Sequence, residues 1–221
     1  MSNLDTWKKV DQYFIDQLIP ADPVMENVLK ANEEAELPSI DVSATQGKML
    51  QLFVKMKAAK NVLEIGTLGG YSTIWMAKAL PENGHVTTLE FNPKHAEVAA
   101  RNMEMAGVRD KVEVIVGPAL DALPTLEGRE PFDFIFIDAD KNNNPHYIKE
   151  VLKLSKHGTT ILVDNVVRDG RLLDSESKDK SIMGIREMFD LLNNHPQLDS
   201  TAFQTVGSKG YDGFVLAVVT K

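Results

Sequence analysis

The chain of 221 residues contains no cysteine. Disulfide bonds, thiolate metal sites and cysteine nucleophiles are therefore excluded. The chain also lacks any apolar run near the roughly 18 residues that a membrane-spanning helix requires. Its first stretch, Met1–Lys9, does not show the basic and then apolar order of a signal peptide. We therefore expect a cytoplasmic protein with no membrane partner.

The chain also has fewer basic than acidic residues. The chain has 24 Lys and Arg residues against 32 Asp and Glu residues, which gives a formal net charge of −8. An acidic surface repels phosphate backbones, so general binding of nucleic acid is disfavoured. Hydrophobic residues make up 43% of the chain. This is enough for one sizeable α/β core, and we predict a single domain over residues 1–221.

Residues 1–60 predict an N-terminal helical extension. Apolar residues recur at helical spacing over Leu4–Leu18. Asp22 is a suitable cap for a second helix that has Pro23 at its first position. A third helix is expected over Ser43–Met56.

The pattern changes over residues 61–221, where short apolar runs alternate with helical stretches. The runs predict strands at Asn61–Ile65, His85–Glu90, Val112–Val116, Phe132–Asp138 and Thr159–Asp164. The stretches between them predict helices at Ser72–Leu80, Pro93–Ala106 and Asn144–Lys156. This alternation indicates βαβ units and a parallel sheet that is covered on both faces.

Two further segments complete the predicted core. Thr201–Val206 and Gly213–Val219 flank the sequence Gly207-Ser208-Lys209-Gly210. They predict an antiparallel hairpin at one edge of the sheet. The stretch Arg168–Lys180 is densely charged with both signs, and we predict a mobile loop there.

A glycine-containing turn follows the first predicted strand. Gly66, Gly69 and Gly70 form the pattern Gly-x-x-Gly-Gly, which lets the backbone approach a ligand closely. It differs from the Gly-x-Gly-x-x-Gly of dinucleotide sites, and no lysine follows as in a P-loop. Glu64, just before the turn, places a carboxylate near the ligand. A cationic amino group would be attracted there, whereas a pyrophosphate would be repelled.

A second acidic residue ends the second predicted strand. Glu90 lies where a carboxylate accepts both hydroxyls of a ribose. Taken alone, Glu64 and Glu90 fit equally well as caps of loops on a solvated edge. Together with the glycines at the carboxyl ends of adjacent strands, they favour a cofactor site.

Hard oxygen ligands follow the fourth and fifth predicted strands. Asp138 ends one strand, two residues before Asp140, and Asp164 ends the other, directly before Asn165. The carboxyl ends of neighbouring parallel strands converge on one crevice. The carboxylates of Asp138 and Asp164 and the amide of Asn165 suit Mg²⁺, or alternatively Mn²⁺ or Ca²⁺. Without a histidine in the cluster, zinc is disfavoured. The alternative is that these residues only cap strand ends.

The basic residues near this cluster have two interpretations. Lys141, three residues after Asp138, is either a solvated lysine or a base whose pKa a nearby cation lowers. The five histidines show no mutual spacing for metal binding or catalysis, and we interpret them as structural or surface residues: His85, His95, His146, His157 and His195.

From about Tyr13 to Val219 the sequence resembles the small cation-dependent class I O-methyltransferases, which include the caffeoyl-coenzyme A and catechol O-methyltransferases and bacterial relatives. The most specific motifs are Leu63–Thr67 with Gly70-Tyr71-Ser72, Ile137–Lys141 and Asp164-Asn165. The resemblance implies an α/β fold, a Rossmann-like doubly wound sheet of seven strands in the order 3-2-1-4-5-7-6. The last strand pair would be antiparallel, and the protein a homodimer.

The resemblance also implies roles for particular residues. The cofactor S-adenosylmethionine (SAM) would be held by Val42, Glu64, Gly66, Thr67, Gly70, Ser72, Glu90, Ala119, Asp138 and Asp140. The metal ligands would be Asp138, Asp164 and Asn165, and Lys141 would be the base beside Asp138 in the catalytic centre. The substrate would meet Asp169, and also Arg168, which stands where the plant enzymes have a tryptophan.

The function implied is transfer of a methyl group to one hydroxyl of a vicinal diphenol of the catechol, caffeoyl or flavonoid type. A first alternative is O-methylation of a wobble hydroxyuridine in tRNA, against which the acidic charge counts. A second is an NAD-linked oxidoreductase, against which the Gly-x-x-Gly-Gly turn counts. A third is a noncatalytic cofactor-binding scaffold, which the full set of metal and base residues disfavours.

Overall fold

The chain folds around a seven-stranded sheet with the order β3-β2-β1-β4-β5-β7-β6. The computed structural model describes residues 2–221. The strands are β1 Asn61–Ile65, β2 His85–Glu90, β3 Val112–Val116, β4 Phe132–Ile137, β5 Ser155–Asp164, β6 Leu198–Gly207 and β7 Gly210–Val219. β1 to β5 are parallel, and β7 runs antiparallel to both β5 and β6. The predicted fold and strand order are confirmed.

Eight α-helices accompany the sheet in the described residues. They are α1 Asn3–Leu18, α2 Pro23–Glu34, α3 Ala44–Lys57, α4 Tyr71–Ala77, α5 Pro93–Met105, α6 Ala119–Ala122, α7 Asn144–Lys153 and α8 Lys180–Leu192. The three predicted N-terminal helices are confirmed, and each begins after a side chain that accepts a backbone N–H: Ser2, Asp22 and Ser43. No helix within residues 2–221 is long and apolar enough to cross a membrane.

Two hydrophobic cores lie on opposite faces of the sheet. On one face α2 to α5 pack against side chains such as Val62 and Phe134, and the ring of Phe53 in α3 stacks on Phe134 at 6.2 Å between centroids. On the other face α6, α7 and α8 pack against Leu63 and Ile65. Successive residues of a strand point to opposite faces of the sheet, and here helices cover both faces. The buried strands are therefore apolar along most of their length.

Besides the end of α4, which lies at Ala77 instead of the predicted Leu80, the structure corrects two predicted boundaries. The helix predicted to end at Lys156 ends at Lys153, and β5 begins at Ser155, which pairs with Phe132 of β4. The hydroxyl of Thr159 donates to the Phe132 carbonyl at 2.6 Å, which fixes this early part of β5 to β4. The prediction of a helix over Lys156 is therefore wrong.

The second boundary concerns the hairpin. Its strands are longer than predicted, because Gly207 and Gly210 pair with each other and leave a turn of two residues, Ser208 and Lys209. Gly210, the residue directly after the turn, has a φ of +103°, a conformation that glycine adopts without strain.

Helix α8 is an element that the sequence-based prediction lacks. Its apolar side chains at Ile182, Ile185, Met188 and Leu192 are buried at helical spacing, and Asp179 caps its first turn. The preceding stretch, predicted as a loop over Arg168–Lys180, contains only a short 3-10 helix at its centre. Its mobility stays a prediction.

Candidate active site

A cavity of about 750 Å³ opens at the carboxyl ends of the central strands. The strand order reverses between β1 and β4, and ligands of open α/β sheets bind at such a switch point. Of the predicted site residues, the cavity is lined by Val42, Gly66, Thr67, Ser72, Glu90, Ala119, Asp138, Asp140, Lys141, Asn165 and Arg168. The remaining four lie outside its lining: Glu64, Gly70, Asp164 and Asp169.

The turn after β1 depends on Gly66. Its φ is +99°, and a Cβ atom there would overlap the carbonyl oxygen of Asp138. The backbone N–H of Gly66 donates to Leu89 at 3.0 Å, and the N–H of Asp138 donates to Ile65 at 2.8 Å. The turn is thus fixed between β2 and β4, which brings the backbone of β1 to the cavity wall. Gly70, with a φ of +83°, starts α4 from outside the cavity lining.

Glu64 lies under this turn and does not face the cavity. Its side chain is 0% exposed and accepts hydrogen bonds from the hydroxyls of Ser72 at 2.6 Å, Thr88 at 2.7 Å and Thr73. Its carboxylate therefore lies behind the cavity wall, and its contact with an amino group of the ligand stays a prediction. Burial raises the pKa of Glu64 to about 7, although the three hydroxyl donors lower it.

Glu64 gives a testable dependence of stability on pH. A carboxyl whose pKa rises from 4.5 in the unfolded chain to about 7 in the folded chain costs stability as the pH rises through that interval. Wild type should therefore lose about 3 kcal/mol relative to Glu64→Gln between pH 4.5 and 7, with no further change above pH 7. Denaturant unfolding of both proteins in chelator, at several pH values, measures this difference. A difference that is constant with pH would contradict the assignment.

Glu90 holds the other side of the turn. Its Oε2 accepts the backbone N–H groups of Thr67 at 3.1 Å and Leu68 at 2.8 Å. Its Oε1 accepts the N–H of Asn92 at 2.9 Å and lies 3.4 Å from Nδ1 of His95. His95 also lines the cavity, and its interpretation as a structural or surface residue stays a prediction.

Asp41 is a cavity carboxylate that the sequence-based prediction lacks. Its Oδ1 accepts from Nδ2 of Asn32 at 2.9 Å. Oδ1 of Asn32 accepts in turn from Nδ2 of Asn102 at 2.8 Å, and the same nitrogen donates to the carbonyl of Gly69 at 2.8 Å. Burial raises the pKa of Asp41. The only sequence signal was its position beside Val42, ahead of the Ser43 helix cap.

The predicted metal ligands end two paired strands. Ile137 of β4 pairs with Val163 of β5, so Asp138 and Asp164 follow neighbouring positions. Parallel strands are about 4.8 Å apart, so the two carboxylates lie close together. Asn165 lines the cavity in a left-handed conformation with a φ of +59°. Within residues 2–221 no three acidic, histidine or cysteine side chains form a metal-binding group. The predicted set consists of two carboxylates and an amide.

Lys141 balances the negative charge of this set. Its Nζ donates to Oδ1 of Asp138 at 2.6 Å, and its side chain is buried. Burial, together with the charge of Asp138, raises the pKa of Asp164, while the charge of Lys141 lowers it. The carboxyl ends of β4 and β5 therefore concentrate negative charge at a place where a cation is favourable.

Asp140 lies between the strand end and α7. It accepts hydrogen bonds from Nδ2 of Asn143 at 2.6 Å and from the hydroxyl of Tyr147. Burial and this carboxylate raise the pKa of Tyr147, which also lines the cavity. Tyr147 was absent from the prediction, although a tyrosine seven residues after Asp140 falls on the first turn of the helix that follows the motif.

The loop after β5 is held by one carboxylate of β7. Oδ1 of Asp212 accepts the backbone N–H groups of Val167 and Arg168 at 2.9 Å each, and of Gly213 at 3.0 Å. Arg168 lines the cavity, whereas Asp169 is exposed outside its lining. A contact of Asp169 with substrate stays a prediction.

The fold and site together are those of a cofactor-dependent α/β enzyme, and comparison with known proteins identifies its family. The O-methyltransferase family model matches residues 17–217. A catechol O-methyltransferase of Mycobacterium tuberculosis is 53% identical over 95% of this chain and 94% of that protein. The structure of an O-methyltransferase from Bacillus cereus in complex with SAH (S-adenosylhomocysteine) has a TM-score of 0.96 at 55% identity. It covers 98% of this chain and 100% of that one.

A third comparison extends over both full chains. An O-methyltransferase of Streptomyces achromogenes, involved in tomaymycin synthesis and solved in complex with SAM, has a TM-score of 0.97 at 44% identity and covers 100% of each chain. The chain therefore belongs to the O-methyltransferase family, and it is an enzyme of that class. The family predicted from the sequence is confirmed.

Proposed function

We propose that this enzyme transfers a methyl group from SAM to one hydroxyl of a vicinal diphenol, with a divalent cation, most suitably Mg²⁺, in the site. The observation that carries the proposal is the convergence of Asp138, Asp164 and Asn165 at paired strand ends, with Lys141 bonded to Asp138. The relative named catechol O-methyltransferase, at 53% identity, supports the substrate class.

The cofactor half of the cavity lies along β1 and β2. Gly66, Thr67, Ser72 and Glu90 line it, together with Ala119. The relatives from B. cereus and S. achromogenes were solved with SAH and SAM. SAM supplies a methyl group already activated by its positive sulfur. The task of these residues is alignment and the exclusion of water.

Asp41 is a carboxylate that can attract the ammonium group of the cofactor. The amino acid part of SAM carries an ammonium group. The side chain of Glu64 is fully buried under α4. Asp41 is the carboxylate that lines the cavity next to Val42, near the turn at Gly69. We therefore assign to Asp41 the attraction of the cofactor's ammonium group.

This assignment predicts a loss of cofactor affinity. Asp41→Asn keeps the acceptor for Asn32 but removes the charge, so the Kd for SAH should rise about tenfold or more. Titration calorimetry measures the affinity, and NAD⁺ serves as the cofactor of the rival enzyme class. As a matched control, Asp199→Asn removes an exposed carboxylate on β6 and should change nothing. Unchanged SAH affinity in folded Asp41→Asn would remove Asp41 from the site, and binding of NAD⁺ without SAH would overturn the proposed cofactor.

The residues present fit a hard divalent cation. Oxygen donors are what Mg²⁺ and Mn²⁺ prefer, and the set of Asp138, Asp164 and Asn165 leaves coordination positions for water and substrate. Burial, and after it the charge of Asp138, raise the pKa of Asp164, and the ammonium group of Lys141 donates to Asp138. A bound cation would favour the ionised form of a phenol and fix two adjacent oxygens.

Lys141 is suited to accept the phenolic proton. It is buried in the cavity wall, with its Nζ 2.6 Å from Oδ1 of Asp138. A free phenol has a pKa near 10 and is mostly protonated at neutral pH, so a base within reach of the hydroxyl lowers the barrier.

We also propose a homodimer, on the evidence of α1. Asp11 is the only buried residue of this helix, and it accepts the N–H of Ser208 at 2.7 Å. Tyr13 and Leu18 are 63% and 69% exposed, and Phe14 is also exposed. An apolar helix face of this kind is typical of an interface, and a second copy of the chain would cover it. Sedimentation should give twice the 24.5 kDa of one chain, and a monomer would contradict the proposal.

A further inference from the structure

Arg168 stands at the substrate end of the cavity. It lines the cavity three residues after Asn165, on the loop that follows β5. The cofactor half lies on the other side, along β1 and β2. A diphenol whose oxygens meet the ends of β4 and β5 therefore has its ring and its further substituents close to this arginine.

The charge of Arg168 is poorly compensated within residues 2–221. Its ion pair is with Asp212, whose Oδ2 lies 3.8 Å from Nη1, too far for a hydrogen bond. Oδ1 of the same carboxylate already accepts three backbone N–H groups. By contrast, Lys141 is bonded to Asp138 at 2.6 Å. The guanidinium of Arg168 therefore keeps donors that can be directed into the cavity.

The backbone around Arg168 is fixed before any ligand arrives. Its φ of +55° is an unusual conformation for a residue with a side chain, so the surrounding structure must enforce it. The N–H of Arg168 donates to Asp212 at 2.9 Å, and the next N–H, of Asp169, donates to the carbonyl of Tyr211 at 3.1 Å. A cation on a fixed backbone loses less entropy on binding than one on a mobile loop.

We propose that Arg168 binds a carboxylate on the aromatic substrate, so that the preferred substrates are dihydroxyphenyl acids of the benzoate or cinnamate type. A guanidinium binds a carboxylate through two parallel hydrogen bonds, which neutral catechols cannot offer. A catechol with an ammonium group would be repelled at the same position. The proposal rests on the proposed diphenol methylation and adds the charge of the substrate.

The test compares three substrates that differ in one substituent: 3,4-dihydroxybenzoate, 4-methylcatechol and dopamine. Wild type should prefer the acid. Arg168→Gln should lower kcat/KM for the acid by roughly ten- to a hundredfold and change that for 4-methylcatechol by less than about threefold. Arg168→Lys should recover part of the loss. Arg171→Gln is the matched control, because Arg171 is an exposed arginine of the same loop that pairs with Asp179.

A second readout does not need turnover. Calorimetric titration of 3,4-dihydroxybenzoate into protein loaded with SAH and Mg²⁺ should show weaker binding to Arg168→Gln by the same factor. Equal losses for the acid and the neutral catechol would indicate that Arg168 only stacks on the ring or shapes the loop, and would overturn the proposal. So would an unchanged affinity for the acid. If wild type methylates none of the three, the proposed function fails, while the titration still decides whether Arg168 binds the carboxylate.

Discussion

Asp164→Asn is expected to lower the turnover of a catechol on the order of a thousandfold, because it removes one of two carboxylates proposed to hold the cation. The fold should survive. The pKa of Asp164 is raised by burial and by Asp138, so a neutral asparagine relieves a cost in the metal-free protein. We therefore expect a melting temperature in chelator that is equal to or above that of wild type.

Initial rates with saturating SAM measure the loss, and titration with Mn²⁺ followed by electron paramagnetic resonance measures metal affinity independently of activity. The exposed variant Asp199→Asn, on the edge strand β6, serves as the control. If Asp164→Asn binds Mn²⁺ as tightly as wild type and keeps its rate, Asp164 only caps its strand and the metal site is misassigned.

Lys141→Ala is expected to lower kcat about a hundred- to ten-thousandfold and to leave Mn²⁺ affinity within a few fold, because Lys141 accepts a proton but is not a ligand. Raising the pH should partly rescue this variant, since solvent then removes the phenolic proton. Lys141→Arg separates the two roles of the residue. It keeps a positive charge beside Asp138 but cannot accept a proton near neutral pH, so it should be nearly as slow as Lys141→Ala.

The rates are best measured from pH 6 to 10 with a saturating catechol. A Lys141→Arg enzyme with wild-type kcat would contradict the role as a base and leave only the ion pair with Asp138. A Lys141→Ala enzyme that shows no rescue at high pH would mean that proton removal is not the missing step.

The sheet and the cavity rim were largely predictable because strand ends are local features. The first three strands have the predicted bounds, and the acidic residues after β4 and β5 lie where parallel strands must converge. The hairpin at one edge of the sheet was predicted, although its strands are longer. The complete strand order came from the resemblance to a family, because alternation along the chain does not specify which strands are neighbours.

The orientation of Glu64 could not be read from a motif. Its position in β1 pairs it with Thr88 and Phe136, and strand alternation turns its side chain toward the face covered by α4. A residue within a buried strand, such as Glu64, points to one face of the sheet, whereas a residue after the strand end, such as Gly66, lies beyond it. The sequence motif Glu-Ile-Gly-Thr does not show which of its side chains face the cavity.

The contribution of Asp41 depends on tertiary contacts. It lies in a connection between α2 and α3 that has no periodicity, and its place is set by Asn32 and, through it, by Asn102 of α5. The polar chain crosses three separate parts of the sequence. No spacing in the sequence brings these residues together, so only the folded structure reveals the carboxylate.

The central claim is that one oxygen-lined metal site selects two adjacent hydroxyls. It is tested most directly by the rate of methyl transfer from SAM to a catechol and to the matched monophenol, with wild-type enzyme in chelator and after readdition of Mg²⁺. We predict rapid methylation of the catechol only with Mg²⁺, and at least roughly tenfold slower methylation of the monophenol, which loses one of the two fixed oxygens. Equal rates for both phenols, or turnover that chelation leaves unchanged, would contradict the metal-dependent mechanism.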